Sequence, residues 1–190
     1  MAKYVFWVIF SALLGFAVHL AYILFVPSQK FSAQIDATLR NQGTNKFEIL
    51  DAKLQAALLP FATTDDLVGL CKFDVSKGSV KLAVAVPEGY WTLSVYTLHG
   101  KQVYALNGEQ ADTQSFTVTL SKSPSLMSQI LGDDADVAPA IDGDIGWRVG
   151  LGENQGLAFL WMPQSDQWQR QEAASLLSTS SCSLQIADGS

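Results

Sequence analysis

The chain has 190 residues, with 12 Lys and Arg against 18 Asp and Glu, and its formal net charge is −6. Nucleic-acid-binding domains cluster Lys and Arg to neutralise phosphates, and the basic residues here are few and scattered, which excludes nucleic acid as a partner. One stretch is apolar enough to span a membrane, and about 160 residues remain after it, the usual size of a single domain.

That stretch is residues 4–26, a nearly continuous apolar run that ends before Pro27. Crossing a bilayer core of about 30 Å takes roughly 20 apolar helical residues, whereas the core of a signal peptide has about 7 to 15. We therefore predict that residues 1–27 are a retained transmembrane anchor, with cleavage as the alternative. The segment before the apolar run is short and the segment after it is long. This arrangement favours a cytoplasmic N-terminus and a periplasmic domain held at a bacterial inner membrane.

Within the anchor, Ser11, Gly15 and His19 are spaced by four and share one helix face. Small residues let membrane helices approach closely, and polar side chains in lipid usually find a partner. This strip is either a helix-contact surface or a set of ordinary membrane-helix residues, with His19 hydrated near the interface.

Residues 28–45 are predicted to connect the anchor to the domain. Pro27 is expected to end the anchor helix. Phe31, Ile35 and Leu39 then recur every four residues, which is typical of a short amphipathic helix. A turn cluster at residues 41–45 follows it.

Residues 46–190 are predicted to form a mainly β (α+β) domain, an antiparallel sheet or sandwich with short flanking helices. Apolar residues alternate over residues 79–86, and aromatic and β-branched residues dominate residues 90–98. Asn107-Gly108 predicts a hairpin in which the flanking strands pair. Residues 167–178 have helical composition, and we expect Trp168, Leu176 and Leu177 to be the packing residues of that helix.

Cys71 and Cys182 are the two cysteines of the chain. Their separation resembles no metal-ligand spacing, so we predict no zinc site. In an exported domain they are expected to pair and to tie the C-terminal tail to the centre of the domain. The alternative is two buried free thiols.

Four short segments occur in a characteristic order, and together they carry a family resemblance: NQGTNKF at residues 41–47, DL followed by CKFDVSKG between residues 66 and 78, GYWTLSVY at residues 89–96 and QVYALNG at residues 102–108. The chain resembles the "domain of unknown function 1254" family over about residues 42–182. In larger relatives a second β-rich domain, of the 1214 type, follows in the same chain. The resemblance implies a mostly β fold and a separately encoded 1214-type partner, and it implies no established reaction.

One histidine outside the anchor is available as a general base. His19 lies in the anchor, so His99 is the histidine left to act as a general base, and no partner is visible for it by spacing. We find no nucleophile elbow and no phosphate-binding loop.

The acidic residues Asp133, Asp134, Asp136, Asp142 and Asp144 match no calcium loop, and we interpret them as solvated surface. We predict no catalytic residue, no cofactor and no metal.

The strand around residues 90–98 has one face that is more polar than the other. Alternation places Tyr90, Thr92, Ser94 and Tyr96 together, and His99 follows at the next turn. We predict that this face meets a ligand or partner.

The favoured function is a non-enzymatic assembly module that pairs with a second envelope protein; the alternative is a sugar- or lipid-binding domain or a hydrolytic enzyme. An assembly module leaves apolar surface uncovered, whereas an enzyme has a closed pocket with convergent polar groups.

Overall fold

The computed structural model describes residues 2–111, 113–123, 141–142, 146–164 and 167–185. Its helices and strands, in chain order, are α1 (Ala2–Thr38), β1 (Lys46–Ile49), α2 (Ala52–Leu58), β2 (Leu67–Asp74), β3 (Ser79–Ala85), β4 (Thr92–Thr97), β5 (Gln102–Asn107), α3 (Gly108–Ala111), β6 (Ser115–Lys122), β7 (Ile141–Asp142), β8 (Gly146–Leu151), β9 (Gln155–Met162), α4 (Gln167–Leu177) and β10 (Ser181–Gln185).

The strands form two five-stranded sheets. Sheet 1 has the order β1-β2-β9-β4-β5, and its neighbours all pair antiparallel. Sheet 2 has the order β10-β3-β6-β8-β7 and is antiparallel except between β6 and β8, which are parallel. The predicted mainly β fold with short helices and one N-terminal apolar helix is confirmed.

The main core lies between the two sheets and follows the alternation of the strands. In β3 the side chains of Val80, Leu82 and Val84 are buried, as predicted. In β4, Leu93 and Val95 point into the same core. Since successive side chains of a strand point to opposite faces, the polar residues of β4 lie on the outer side of sheet 1.

A second core covers that outer side. Ile35 and Leu39 of α1 pack there with Val68 of β2 and Phe159 of β9, and Phe31, Leu54 and Leu58 pack against them. The spacing of four in residues 28–40 therefore does mark a buried helix face, as predicted. Sheet 1 is consequently a middle layer, with sheet 2 on one side and α1 and α2 on the other.

The predicted break at Pro27 is wrong, because α1 runs without interruption from Ala2 to Thr38. Proline removes one backbone donor, a loss that favourable contacts elsewhere can offset. Here Ile35 and Leu39 dock on sheet 1 beyond the proline. Tertiary packing of an apolar face, more than intrinsic propensity, stabilises most protein helices, and this packing keeps the last turns of α1 helical.

The hairpin predicted at Asn107-Gly108 is also wrong, because β5 belongs to sheet 1 and β6 to sheet 2. The Asn107 side chain accepts from the Gln110 N–H at 2.9 Å, and the Gln110 side chain accepts from the Asn107 N–H at 3.2 Å. This reciprocal bonding is a capping box that starts α3. Capping a helix, rather than closing a hairpin, lets the chain cross between the sheets.

The pairing of Cys71 with Cys182 is confirmed, and it joins the two sheets. Cys71 lies on β2 and Cys182 on β10, and both are buried in the main core. Their Cα atoms are 6.2 Å apart. Facing sheets usually lie about 10 Å apart, so the sheets converge at this bond.

We predict that removing the disulfide destabilises the domain. It closes a loop with a sequence separation of 111 residues, and loss of a native disulfide typically lowers the free energy of unfolding by about 2–5 kcal/mol. The double variant Cys71→Ala/Cys182→Ala should show this loss in urea titrations of the detergent-solubilised chain. An unchanged urea midpoint, or two free thiols in peptides mapped without reductant, would contradict the prediction.

We also predict that Gly156 tolerates no side chain. A Cβ at Gly156 would overlap the main-chain oxygen of Tyr96 and the ring of Phe73, whereas a Cβ at Gly152 would meet nothing within 4 Å. Gly156→Ala should lower the free energy of unfolding by about 1–3 kcal/mol or more, as overpacking does. The matched control Gly152→Ala should change it by less than about 0.5 kcal/mol. Equal urea midpoints for the two variants would contradict the close packing of Gly156 against Tyr96 and Phe73.

Candidate functional site

One concavity of the described structure, here called the α4 cleft, has a volume of about 1370 Å³. It lies between α4 and the β3–β4 connection. Its walls come mainly from residues 87–91 and from one face of α4, and Gln114, Met162, Pro163 and Gln164 complete it. The cleft therefore opens where both sheets meet the helix.

The packing of α4 explains why this cleft is lined by aromatic surface. Ala173 and Leu177 are buried in the main core and hold the helix against both sheets. Trp168 is 76% exposed and Leu176 is 37% exposed. The expectation that Trp168 and Leu176 are packing residues of the helix is therefore wrong. Of the three residues predicted to pack, Leu177 is the one that is buried. Both other side chains face the cleft instead.

The polar side chains of the α4 cleft are amides, carboxylates and hydroxyls. Glu88 and Glu172 lie in its lining, and Glu88 accepts a hydrogen bond of 3.0 Å from the Gln114 amide. The described lining contains no Lys, Arg or His. The cleft thus combines exposed aromatic surface with hydrogen-bonding groups and a negative charge.

A second concavity, the α1 pocket, has a volume of about 260 Å³ and lies between α1 and the outer face of sheet 1. None of its described lining residues is charged: Phe31, Ile35, Leu58, Leu59, Phe61, Thr92, Ser94, Tyr96, Gly100, Phe159 and Trp161. Phe61 is 73% exposed at this site. The pocket is therefore apolar on the helix side, with hydroxyl groups contributed by the strand.

One buried carboxylate, that of Asp66, is bonded to a residue that lines the α1 pocket. Asp66, 4% exposed, accepts from the Trp161 indole N–H at 3.1 Å and from the Thr63 N–H at 2.8 Å. Tyr90, in the α4 cleft, packs edge-on against the Trp161 ring with centroids 6.1 Å apart. Trp161 itself lines the α1 pocket, so Asp66 holds a lining residue of that pocket whose ring also contacts Tyr90 of the α4 cleft.

The five residues predicted to form a ligand or partner face are divided among three places. Thr92, Ser94 and Tyr96 line the α1 pocket, and Tyr90 lines the α4 cleft. His99 lies in the turn after β4 and lines neither site. The predicted alternation of the strand is correct, and the function of the face stays a prediction.

His99 has a partner that the sequence pattern did not reveal. Its Nδ1 lies 3.0 Å from Oε2 of Glu153, in the turn between β8 and β9, and both side chains are well exposed. Exposed pairs of this kind contribute little to stability. Within the described residues the His99 ring is bonded to this carboxylate and to no hydroxyl or thiol, so the pair lacks a nucleophile to activate.

The three residues predicted as a helix-contact strip lie apart from both concavities. Ser11, Gly15 and His19 are exposed on α1 and make no described contact with the domain. Asp133, Asp134, Asp136 and Asp144, and the side chain of Asp142, fall outside the described residues. In the described ranges no three His, Cys, Asp or Glu side chains converge as a metal site would require.

Among the residues that the structure describes, two side chains have shifted pKa values, and both lie outside the two concavities. The pKa of Asp74 is lowered by the hydrogen bond from the Ser76 side chain and then by that from the Gln155 amide, at 2.7 Å. Burial raises the pKa of the Tyr104 phenol. Neither group is positioned for acid–base chemistry in the α4 cleft or the α1 pocket.

Comparisons with known proteins add the fold and little else. No family model matches the chain, and no curated protein matches it. The VPA0106 protein from Vibrio parahaemolyticus has a similar structure, with a TM-score of 0.62 and 15% identity over 86% of this chain. An uncharacterised protein from Burkholderia cenocepacia matches with a TM-score of 0.48 and 11% identity over 87% of this chain. The chain spans 37% of the length of the Vibrio protein and 41% of the Burkholderia one.

We predict that Asp66→Ala destabilises the domain and loosens Trp161. The change leaves the N–H groups of Trp161, which is partly buried, and of Thr63, which is exposed, without their shared acceptor. Loss of a partner for a buried group typically costs about 1–3 kcal/mol, so we expect a loss toward the lower end of that range. The matched control is Asp65→Ala, because Asp65 is exposed one residue earlier. A double-mutant cycle in urea with Trp161→Phe should show coupling of about 0.5–3 kcal/mol. Strictly additive effects would contradict the role of the 3.1 Å bond.

Proposed function

We propose that this protein is a single-pass, inner-membrane-anchored periplasmic module that binds a second envelope protein through the α4 cleft. The anchor is supported by α1, whose 18-residue window of mean hydropathy 2.3 is unburied throughout. Such a surface is unfavourable in water, and a bilayer would cover it. The disulfide supports a domain in an oxidising compartment.

One observation carries the docking role. Outside α1, the large apolar side chains that are exposed among the described residues are Phe61, Tyr90, Trp168 and Leu176. Three of them line the α4 cleft, and the fourth lines the adjacent α1 pocket. Exposed aromatic side chains gathered in one place mark an interaction surface, because scattered ones are common and clustered ones are not.

The chemistry of the α4 cleft favours a protein partner over a substrate. Interfaces are enriched in Trp and Tyr, which present a broad apolar surface and a polar tip. The carboxylates of Glu88 and Glu172 face the same cleft, and they would favour basic or amide groups on the partner. The cleft contains no described nucleophile–base pair that would support hydrolysis.

The partner we propose is a β-rich domain of the 1214 type, encoded as a separate chain. The support is the resemblance to the 1254-type domain, which such a domain follows in larger relatives. The match to the Vibrio protein, over 37% of that chain, agrees with a domain that has a longer structural counterpart. Two halves held in one membrane would associate readily, since tethering raises their effective concentration.

We predict that Trp168→Ser weakens this complex strongly without unfolding the domain. Trp168 is 76% exposed, so its loss removes little of the core. Truncation of a central interface tryptophan commonly costs 2 kcal/mol or more, roughly a 30-fold increase in Kd. Titration of the detergent-solubilised chain with a purified 1214-type domain protein would measure it.

The matched control is Gln167→Ser, one residue earlier on α4 and outside the cleft lining. Its Kd should match that of the unaltered chain. Purification in mild detergent as a monomer without a stoichiometric partner, or an unchanged Kd for Trp168→Ser, would overturn the proposal.

A further inference from the structure

The α1 pocket lies on the same helix as the apolar run, only a short distance beyond it. Phe31 and Ile35 line the pocket, five and nine residues after Val26. At about 1.5 Å per residue, these positions are roughly 8 and 14 Å along the helix from the end of the run. The headgroup layer on each side of a bilayer is about 5–8 Å thick. On the proposed anchoring, the pocket therefore begins where the headgroups end.

The continuity of α1 sets the distance between the α1 pocket and the membrane surface. The last turns of α1 are packed on sheet 1 through Ile35 and Leu39, and α1 is one helix from the apolar run to that packing. Phe31 also packs against the β4–β5 turn, where a Cβ on Gly100 would be 3.1 Å from its ring. A continuous helix thus joins the apolar run to the domain, so the pocket is held nearer to the membrane surface than it would be on an extended linker.

The lining of the pocket indicates the chemistry of its occupant. Its described residues are uncharged, and aromatic or aliphatic groups face it from both sides. Its volume of about 260 Å³ would hold roughly eight methylene groups, if each takes about the 30 Å³ of a water molecule in the liquid. The exposed ring of Phe61 extends the apolar surface outward. Hydroxyls on Thr92, Ser94 and Tyr96 provide hydrogen-bonding groups without charge, which suits an ester.

We propose that the α1 pocket binds an acyl chain of a phospholipid from the outer leaflet of the same membrane. This inference rests on the proposed anchoring of α1, since anchoring is what brings bilayer lipid to the pocket. It is independent of partner binding in the α4 cleft. A lipid held there would cover Phe61 and fix the domain against the membrane surface.

Photolabelling of the full chain in lipid nanodiscs tests the proposal. The discs contain phosphatidylethanolamine and phosphatidylglycerol, with a small fraction of phosphatidylethanolamine carrying a diazirine near the end of one acyl chain. After irradiation, adducts are located by peptide mass spectrometry. We expect adducts on residues 4–26, which report insertion of α1, and a second set on residues 54–61 or 92–102, which reports the pocket.

Two test variants, each with a matched control variant, show whether the pocket adducts are specific. Phe61→Glu places a carboxylate at an exposed position of the lining and should reduce the pocket adducts at least tenfold, while adducts on residues 4–26 stay unchanged. Phe61→Leu keeps the position apolar and should retain them. Ser94→Phe fills the pocket and should also abolish them, with Ser183→Phe on an exposed position of β10 as its control. Urea midpoints verify that each variant is folded.

The outcomes separate the two proposals. Adducts on residues 4–26 without pocket adducts would overturn the lipid site and leave the anchor standing. Pocket adducts without adducts on residues 4–26 would overturn the anchor, and with it the assignment of the pocket to a lipid of the same membrane. Adducts at neither place would overturn both. Equal labelling of the pocket by a diazirine fatty acid in detergent would overturn the assignment to a bilayer phospholipid, and adducts insensitive to Phe61→Glu would overturn the pocket as their location.

Discussion

The double-sided burial of sheet 1 is the constraint on which the rest of the structure depends. Five consecutive residues are buried in β2 and five in β9, because sheet 2 covers one face and α1 with α2 cover the other. Apolar surface left in water costs about 25 cal/mol for each Å². A sheet with two apolar faces therefore requires two covering layers, and the last turns of α1 are one of them.

This constraint connects the fold to the membrane proposal. A helix used only as a tether would need no contact with the domain, yet Ile35 and Leu39 are buried at 4% and 0% exposure. The same contacts create the α1 pocket beside the strand that carries Thr92, Ser94 and Tyr96. On the other side of sheet 1, the Cys71–Cys182 bond holds the sheets 6.2 Å apart at their Cα atoms, so the middle layer is fixed from both sides.

Part of the candidate site was accessible to sequence reasoning and was interpreted wrongly. Trp168 and Leu177 are nine residues apart, which is 2.5 turns at about 3.6 residues per turn, so they lie on opposite sides of a helix. That spacing alone indicates that Trp168 and Leu177 cannot both pack against the core. Glu153 is different, since no local pattern links it to His99, 54 residues earlier. Only the meeting of two turns brings the pair together.

The sequence by itself determined the local periodicities: the apolar run of residues 4–26, the spacing of Phe31, Ile35 and Leu39, and the alternation of β3 and β4. These depend on how neighbouring residues repeat, by two in a strand and by nearly four in a helix. Only the tertiary structure shows the continuity of α1 through Pro27, the placement of β5 and β6 in different sheets, the way the Cys71–Cys182 bond joins the two sheets and the bond between Asp66 and Trp161, 95 residues apart. Each of these is set by contacts between distant segments, which the order of neighbouring residues does not encode.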